Sequence, residues 1–117
     1  MNYTSIEYQV DNGILTLLLS RPEAMNAFTM DMCNELEHAF MRASDDDDVR
    51  VIVVTGSGKA FCAGMDLSSE GNVFGLDNAK QPTLAEMQEP EKMDGVRDSA
   101  GRVTLAIYDC KKPVIAA

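Results

Sequence analysis

The chain has 117 residues, enough for one small domain or part of one, and its 45% apolar and 25% charged content is ordinary for a globular protein. That composition excludes a disordered or collagen-like chain. Nineteen acidic against ten basic residues give a formal charge of −9, which argues against a general nucleic-acid binder, because displacing phosphate counterions needs a basic face. A small anionic ligand is still open, since a few local cations or backbone N–H groups are enough to hold one.

Cys33, Cys62 and Cys110 are widely spaced, and no CxxC or Cys/His pair occurs. Neither a disulfide framework nor a zinc site is indicated, and buried thiols in a reducing compartment are expected. Met1–Tyr8 lacks the basic and then apolar pattern of a secretory leader. The apolar stretches fall far short of the roughly 20 residues needed to span a bilayer. A soluble, cytoplasmic protein without a membrane partner is expected.

In chain order, Ile6, Tyr8 and Val10 alternate with Glu7 and Gln9, which predicts a half-buried strand. Asp11-Asn12-Gly13 is a hairpin turn signal, and Ile14–Leu19 reads as a second, more buried strand. Pro22 breaks the pairing. Thr29 is a plausible N-cap, with Asp31 in the first turn where the helix dipole favours an acid. Met32, Leu36, Ala39, Phe40 and Ala43 then form one apolar stripe of a helix over about Met30–Ala43. His38 lies off that stripe and reads as a solvated helix residue. The acidic run Asp45–Asp48 lacks the glycine-centred ligand spacing of a calcium loop and reads as a solvated connection.

Val49–Thr55 is a β-branched run with the pattern of a central parallel strand buried on both faces. From Ser68 to Ala100 the periodicity fades, which predicts a variable loop or lid with short helical pieces such as Thr83–Gln88. A helix of about ten residues is expected from Arg102, with Lys111 and Lys112 at its C-terminal end and Pro113 as its stop. Val114–Ala117 begins another buried strand. Because a chain rarely stops inside an apolar run, the sequence is expected to be the front portion of a longer protein.

The sharpest local feature is Lys59-Ala60-Phe61-Cys62-Ala63-Gly64-Met65-Asp66-Leu67. Ala63 and Gly64 let a ligand approach the main chain. Asp66 is a good N-cap for a short helix from Leu67, which would set the Met65 N–H near a positive helix end, suited to an oxygen that gains charge during a reaction. On local pattern alone a tight structural turn is the default. Gly56-Ser57-Gly58-Lys59 looks like the end of a phosphate loop, but Val53 stands where the opening glycine is needed and Ala60 where the magnesium-binding hydroxyl is needed. Cys62 has no base beside it and apolar neighbours, and reads as an inert packed thiol.

Three segments together carry a family resemblance: Arg21-Pro22-Glu23-Ala24-Met25-Asn26-Ala27-Phe28, then VIVVTGSGKAFCAGMDL at Val51–Leu67, then KKPVIAA at Lys111–Ala117. In this order they resemble the crotonase superfamily, the enoyl-CoA hydratase/isomerase family. The resemblance implies an α/β fold, a crotonase-like spiral of ββα repeats, of which residues 1–117 would be the N-terminal part. It also implies an acyl-CoA thioester substrate in fatty acid metabolism, no cofactor beyond the coenzyme A of the substrate, and a homo-trimer or hexamer when intact.

By the same resemblance, Ala24, Met25 and Asn26, together with Ala63, Gly64, Met65, Asp66 and Leu67, line the CoA pocket, and the Met65 N–H is one of two oxyanion-hole donors. The second donor and the catalytic acid/base groups are expected after Ala117. The resemblance leaves hydratase, isomerase and other crotonase chemistry open. A non-catalytic CoA-binding or oligomer-interaction fragment is the alternative reading.

Overall fold

Asn12 and Gly13 take left-handed φ angles of 49° and 81°, as a two-residue hairpin turn of the primed kind requires. In the computed structural model, which describes residues 1–68, 71–76, 83–88 and 97–117, this turn fixes the register of the first two strands. Strand β1 (Ile6–Asp11) runs antiparallel to β2 (Ile14–Leu19), with Asp11 opposite Ile14 and Ile6 opposite Leu19. Leu15, Leu17 and Leu19 are buried while Ile14, Thr16 and Leu18 are not, the two-residue alternation of a strand with one covered face. On β1 only Ile6 is buried; the expected alternation fades outward, and Val10 is exposed.

Helix α1 (Met30–Asp45) begins at Thr29, whose side chain accepts the Met32 N–H at 3.1 Å. It runs two residues beyond the predicted Ala43, into the acidic run. The whole predicted stripe is buried, and Cys33 and Glu35 with it. Burial pushes the Cys33 thiol pKa up. Glu35 is a buried acid with three donors: the Thr4 N–H at 2.7 Å, the Thr4 hydroxyl at 2.9 Å and the Ser5 N–H at 2.9 Å. These bonds replace lost water and staple the start of the chain to α1. His38 is half-buried rather than fully solvated, with its Nδ1 bonded to the Tyr3 hydroxyl at 2.8 Å.

Strand β3 (Val51–Gly56) is parallel to β2 and to β4 (Val114–Ala116), and the sheet order is β1-β2-β3-β4. It is central, as the sequence predicts, but only Ile52 and Val54 are buried; Val51, Val53 and Thr55 are half-buried. One face of the sheet, Leu15, Leu17, Leu19, Ile52 and Val54, packs under α1 in a single apolar cluster that includes Val103. Val103 belongs to α2 (Ser99–Asp109), which starts three residues before the predicted Arg102 because Asp98 caps it by accepting the Gly101 N–H.

Lys111 and Lys112 do not serve the α2 terminus. Lys111 pairs with Asp45 at 3.2 Å, and Lys112 Nζ donates to the carbonyls of Asp46 and Val49, tying the α1 exit to the start of β4. Val114–Ala116 pairs as a strand but is not buried: Ile115 is 52% exposed. Within 68–100 the described parts are turns at 71–76, a 3-10 turn at Glu86–Gln88 inside the predicted Thr83–Gln88 piece, and the start of α2 at Ser99, which falls inside the predicted loop. The rest of the predicted loop, residues 69–70, 77–82 and 89–96, lies outside the described residues.

Candidate active site

The predicted site forms where the exits of β2 and β3 meet. Leaving β2, the chain makes one 3-10 turn at Pro22–Ala24. Proline suits its first position, where an N–H would go unpaired. Met25 and Asn26 then take left-handed φ angles of 52° and 56°, which cost a side-chain-bearing residue about 1–2 kcal/mol each. Hydrogen bonds hold this shape. The Asn26 N–H reaches the Arg21 carbonyl at 2.9 Å, and its Oδ1 accepts the Arg21 N–H at 2.8 Å. Its Nδ2 donates to the carbonyls of Ser57 and Ala60, both at 2.8 Å. Asn26 is fully buried, so its side chain stitches the two exits together.

Gly56 lies beneath this stitch. A Cβ there would collide with the carbonyls of Ala60 and Phe61 and stand 2.8 Å from Asn26 Nδ2. The Gly56–Lys59 stretch therefore does not wrap a phosphate. The Ser57 N–H is bonded to the Leu19 carbonyl, and no helix starts within residues 57–68 to supply the free N–H groups of a phosphate loop.

Beyond the stitch the two exits form a short parallel ladder. The Ala63 N–H donates to the Met25 carbonyl at 3.1 Å, the Phe28 N–H to the Gly64 carbonyl at 2.7 Å, and the Asp66 N–H to the Phe28 carbonyl at 2.8 Å. Phe28 and Met65 face each other across it. The Gly64 carbonyl and the Met65 N–H share one planar trans peptide. Holding that carbonyl toward Phe28 turns the Met65 N–H the opposite way, and among the described residues it has no partner. Gly64 has φ +100° and nothing within 4 Å of where a Cβ would stand, so the turn is open on that side.

The ladder ends on a charge pair. Arg21 donates Nη1 to the Ala27 carbonyl at 2.5 Å and Nη2 to Asp66 Oδ2 at 3.0 Å. The other oxygen of Asp66 accepts the N–H and hydroxyl of Ser68. The Ser68 donors, followed by Arg21, hold the Asp66 carboxyl below the usual carboxylate range. Asp66 forms this local turn, but among the described residues no helix starts at Leu67.

The remaining predicted pocket residues lie along the ladder. Ala24 and Met65 are half-buried, Ala63 is exposed, and Met25 and Leu67 are 57% and 71% exposed. A cleft of about 420 Å³ opens beside the charge pair, lined by Arg21, Thr29, Met30, Asp66, Asn72 and Val73 among others. Of the predicted site residues only Asp66 borders it. No local pattern marks Arg21 as a site residue; its signal is a cation just after a buried strand, facing a turn acid 45 residues away. Among the described residues no group of three His, Cys, Asp or Glu is placed to hold a metal ion, and no helix is long and apolar enough to cross a membrane.

A ββα unit whose strand exits are sewn into a turn with an outward main-chain N–H defines the class of this protein. The family model described as Enoyl-CoA hydratase/isomerase matches residues 9–117, and the chain belongs to that family. It is similar to a probable enoyl-CoA hydratase of Rhodobacter capsulatus, 39% identical over 117 residues that cover 100% of this chain and 39% of the relative. It is also similar to a trans-2-decenoyl-acyl-carrier-protein isomerase of Streptococcus mutans, 29% identical over 115 residues, 98% of this chain and 40% of the relative. Among solved structures, an enoyl-CoA hydratase/isomerase from Xanthobacter autotrophicus Py2 superposes with a TM-score of 0.73 at 27% identity, over 99% of this chain and 39% of that one. The chain thus spans about two fifths of the length of the curated relatives it matches.

Proposed function

We propose that the protein is an enzyme of the enoyl-CoA hydratase/isomerase type, acting on an acyl-CoA thioester, and that the Met65 N–H is one of its two oxyanion donors. The observation that carries this reading is the ladder across Phe28 and Met65, in which the Gly64 carbonyl is bonded inward and the Met65 N–H is left outward and without a partner among the described residues. Adding water across an enoyl thioester, or moving its double bond, puts negative charge on the thioester oxygen. A fixed main-chain donor lowers the energy of that state, and losing one such donor costs roughly 10²–10³-fold in rate.

Hydratase and isomerase relatives both fit this requirement, because the enolate oxygen is common to both reactions. The exposed apolar side chains of Met25 and Leu67 flank the turn and are suited to an adenine or pantetheine face. In this reading Ala24, Ala63, Gly64 and Asp66 complete the CoA-facing wall, while Asn26, fully buried, corrects the expectation that it lines the pocket: it holds the wall from behind. The second donor and the acid/base groups come from residues outside this chain, and the whole enzyme works as a trimer or hexamer in the cytoplasm.

The test uses the protein expressed from its complete gene. Replacing Met65 by Pro removes the outward N–H without breaking a ladder bond, and turnover of an enoyl-CoA should fall by about 10²-fold or more. A Met65→Pro enzyme with a normal rate would refute the donor role.

A further inference from the structure

Resting on that reading of the turn, we propose that Arg21 is a positioning residue for the Met65 amide, its guanidinium clamping together the Ala27 carbonyl and the Asp66 carboxylate on the two sides of the ladder. The peptide that carries the Met65 N–H has Gly64 at one end, with φ +100° and open space around it. Glycine is the softest residue of the chain, so that end does not set the direction of the N–H. The direction depends on how firmly the two exits are held against each other.

Below Gly64 the stitch of Asn26 does this. Above it the last main-chain rung is the Asp66 N–H on the Phe28 carbonyl at 2.8 Å. Arg21 is the group that closes this upper end, with Nη1 on the first exit at Ala27 and Nη2 on the second at Asp66. The side chains of Arg21 and Asp66 are 20% and 11% exposed, so the pair is largely shielded from solvent, where charged hydrogen bonds hold best. The task needs a planar fork with two separate donors. A lysine ammonium is a point charge on a flexible stem and cannot hold both partners in that geometry.

Arg21→Met, Arg21→Lys and Asp66→Asn are compared with wild type in the protein expressed from its complete gene. Steady-state kinetics on crotonyl-CoA, urea unfolding, and the infrared carbonyl band of a bound acyl-CoA labelled with ¹³C at the thioester are measured for each. In Arg21→Met kcat should fall about 10–100-fold, as for a reacting group moved by a fraction of an ångström, with KM within about threefold. The bound carbonyl band should shift back toward its value in water. Arg21→Lys should recover less than half of the lost rate, and Asp66→Asn should shift the band in the same direction by less.

A folded Arg21→Met enzyme with unchanged kcat and band would overturn the clamp while leaving the donor role standing. If Arg21→Met does not fold, Arg21→Lys and Asp66→Asn decide in the same way, since unchanged kcat and band in both overturns the clamp. A wild-type enzyme that leaves the carbonyl band at its value in water would overturn the donor role and the clamp together.

Discussion

Gly56 and Gly64 sit on the same strand exit and lack a side chain for opposite reasons. At Gly56 the protein fills the space: the carbonyls of Ala60 and Phe61 and the amide of Asn26 crowd in where a Cβ would stand. At Gly64 nothing lies within 4 Å of that point, and the backbone has φ +100°. The first glycine marks the floor of the paired turns, where the Asn26 amide is bonded to the carbonyls of Ser57 and Ala60. The second marks the rim, where a main-chain N–H faces outward and the flanking Met25 and Leu67 are exposed. The contrast teaches that the floor depends on which side chains are present, whereas the rim depends on where the backbone goes.

The largest expected effect breaks the floor. Asn26→Asp keeps the acceptor for the Arg21 N–H but points a carboxylate oxygen at the carbonyls of Ser57 and Ala60. A buried charge without a partner costs about 3–5 kcal/mol, and the urea midpoint should fall accordingly. A loss under about 1 kcal/mol would show that the stitch is replaceable. Gly56→Ala comes next. Its Cβ meets backbone and not a flexible chain end, so overpacking should cost about 1–3 kcal/mol, read by the same unfolding curve.

At the rim, Gly64→Ala meets no atoms and pays only for its left-handed backbone, about 1–2 kcal/mol. Its methyl group also enters the space proposed for the ligand, so KM for an acyl-CoA should rise while Gly56→Ala mainly lowers stability. The charge pair adds a pH dependence. The Asp66 carboxyl is held below its ordinary range in the fold, so its ionised form contributes stability above an unfolded value of about 4, and that contribution is lost as pH falls through the depressed value. Asp66→Asn should therefore lose less stability than wild type between neutral pH and about pH 3, measured by urea midpoints at both. Met65→Ala should do least: the amide is unchanged, and kcat should stay within about twofold of wild type.

The same division explains what the sequence made legible. The helix stripe of Met32, Leu36, Ala39, Phe40 and Ala43 and the hairpin at Asn12-Gly13 are local patterns, and the structure follows both. The Met65 turn was visible as small residues after a buried strand. A short acid before Leu67 suits the local role of a helix cap, but the ladder partner of Asp66 is Arg21, which no local pattern reveals. The resemblance places Asn26 in the pocket wall, but the acceptors that bury it are supplied by a loop more than thirty residues away. Lys112 has the position of a helix-end cation, but the carbonyls it meets come from the α1 exit. At Val114–Ala117 an apolar run reports strand propensity and not what covers it, and Ile115 is exposed. Non-local partners are the part that periodicity does not carry.

The decisive test of the Met65 donor is a crystal structure of the protein expressed from its complete gene with an acyl-CoA bound. The thioester oxygen should lie about 2.7–3.1 Å from the Met65 nitrogen, with the Phe28–Met65 ladder unchanged and the CoA chain running along the rim past Met25 and Leu67. A thioester seated away from this turn, with the Met65 N–H bonded to another protein group, would contradict it.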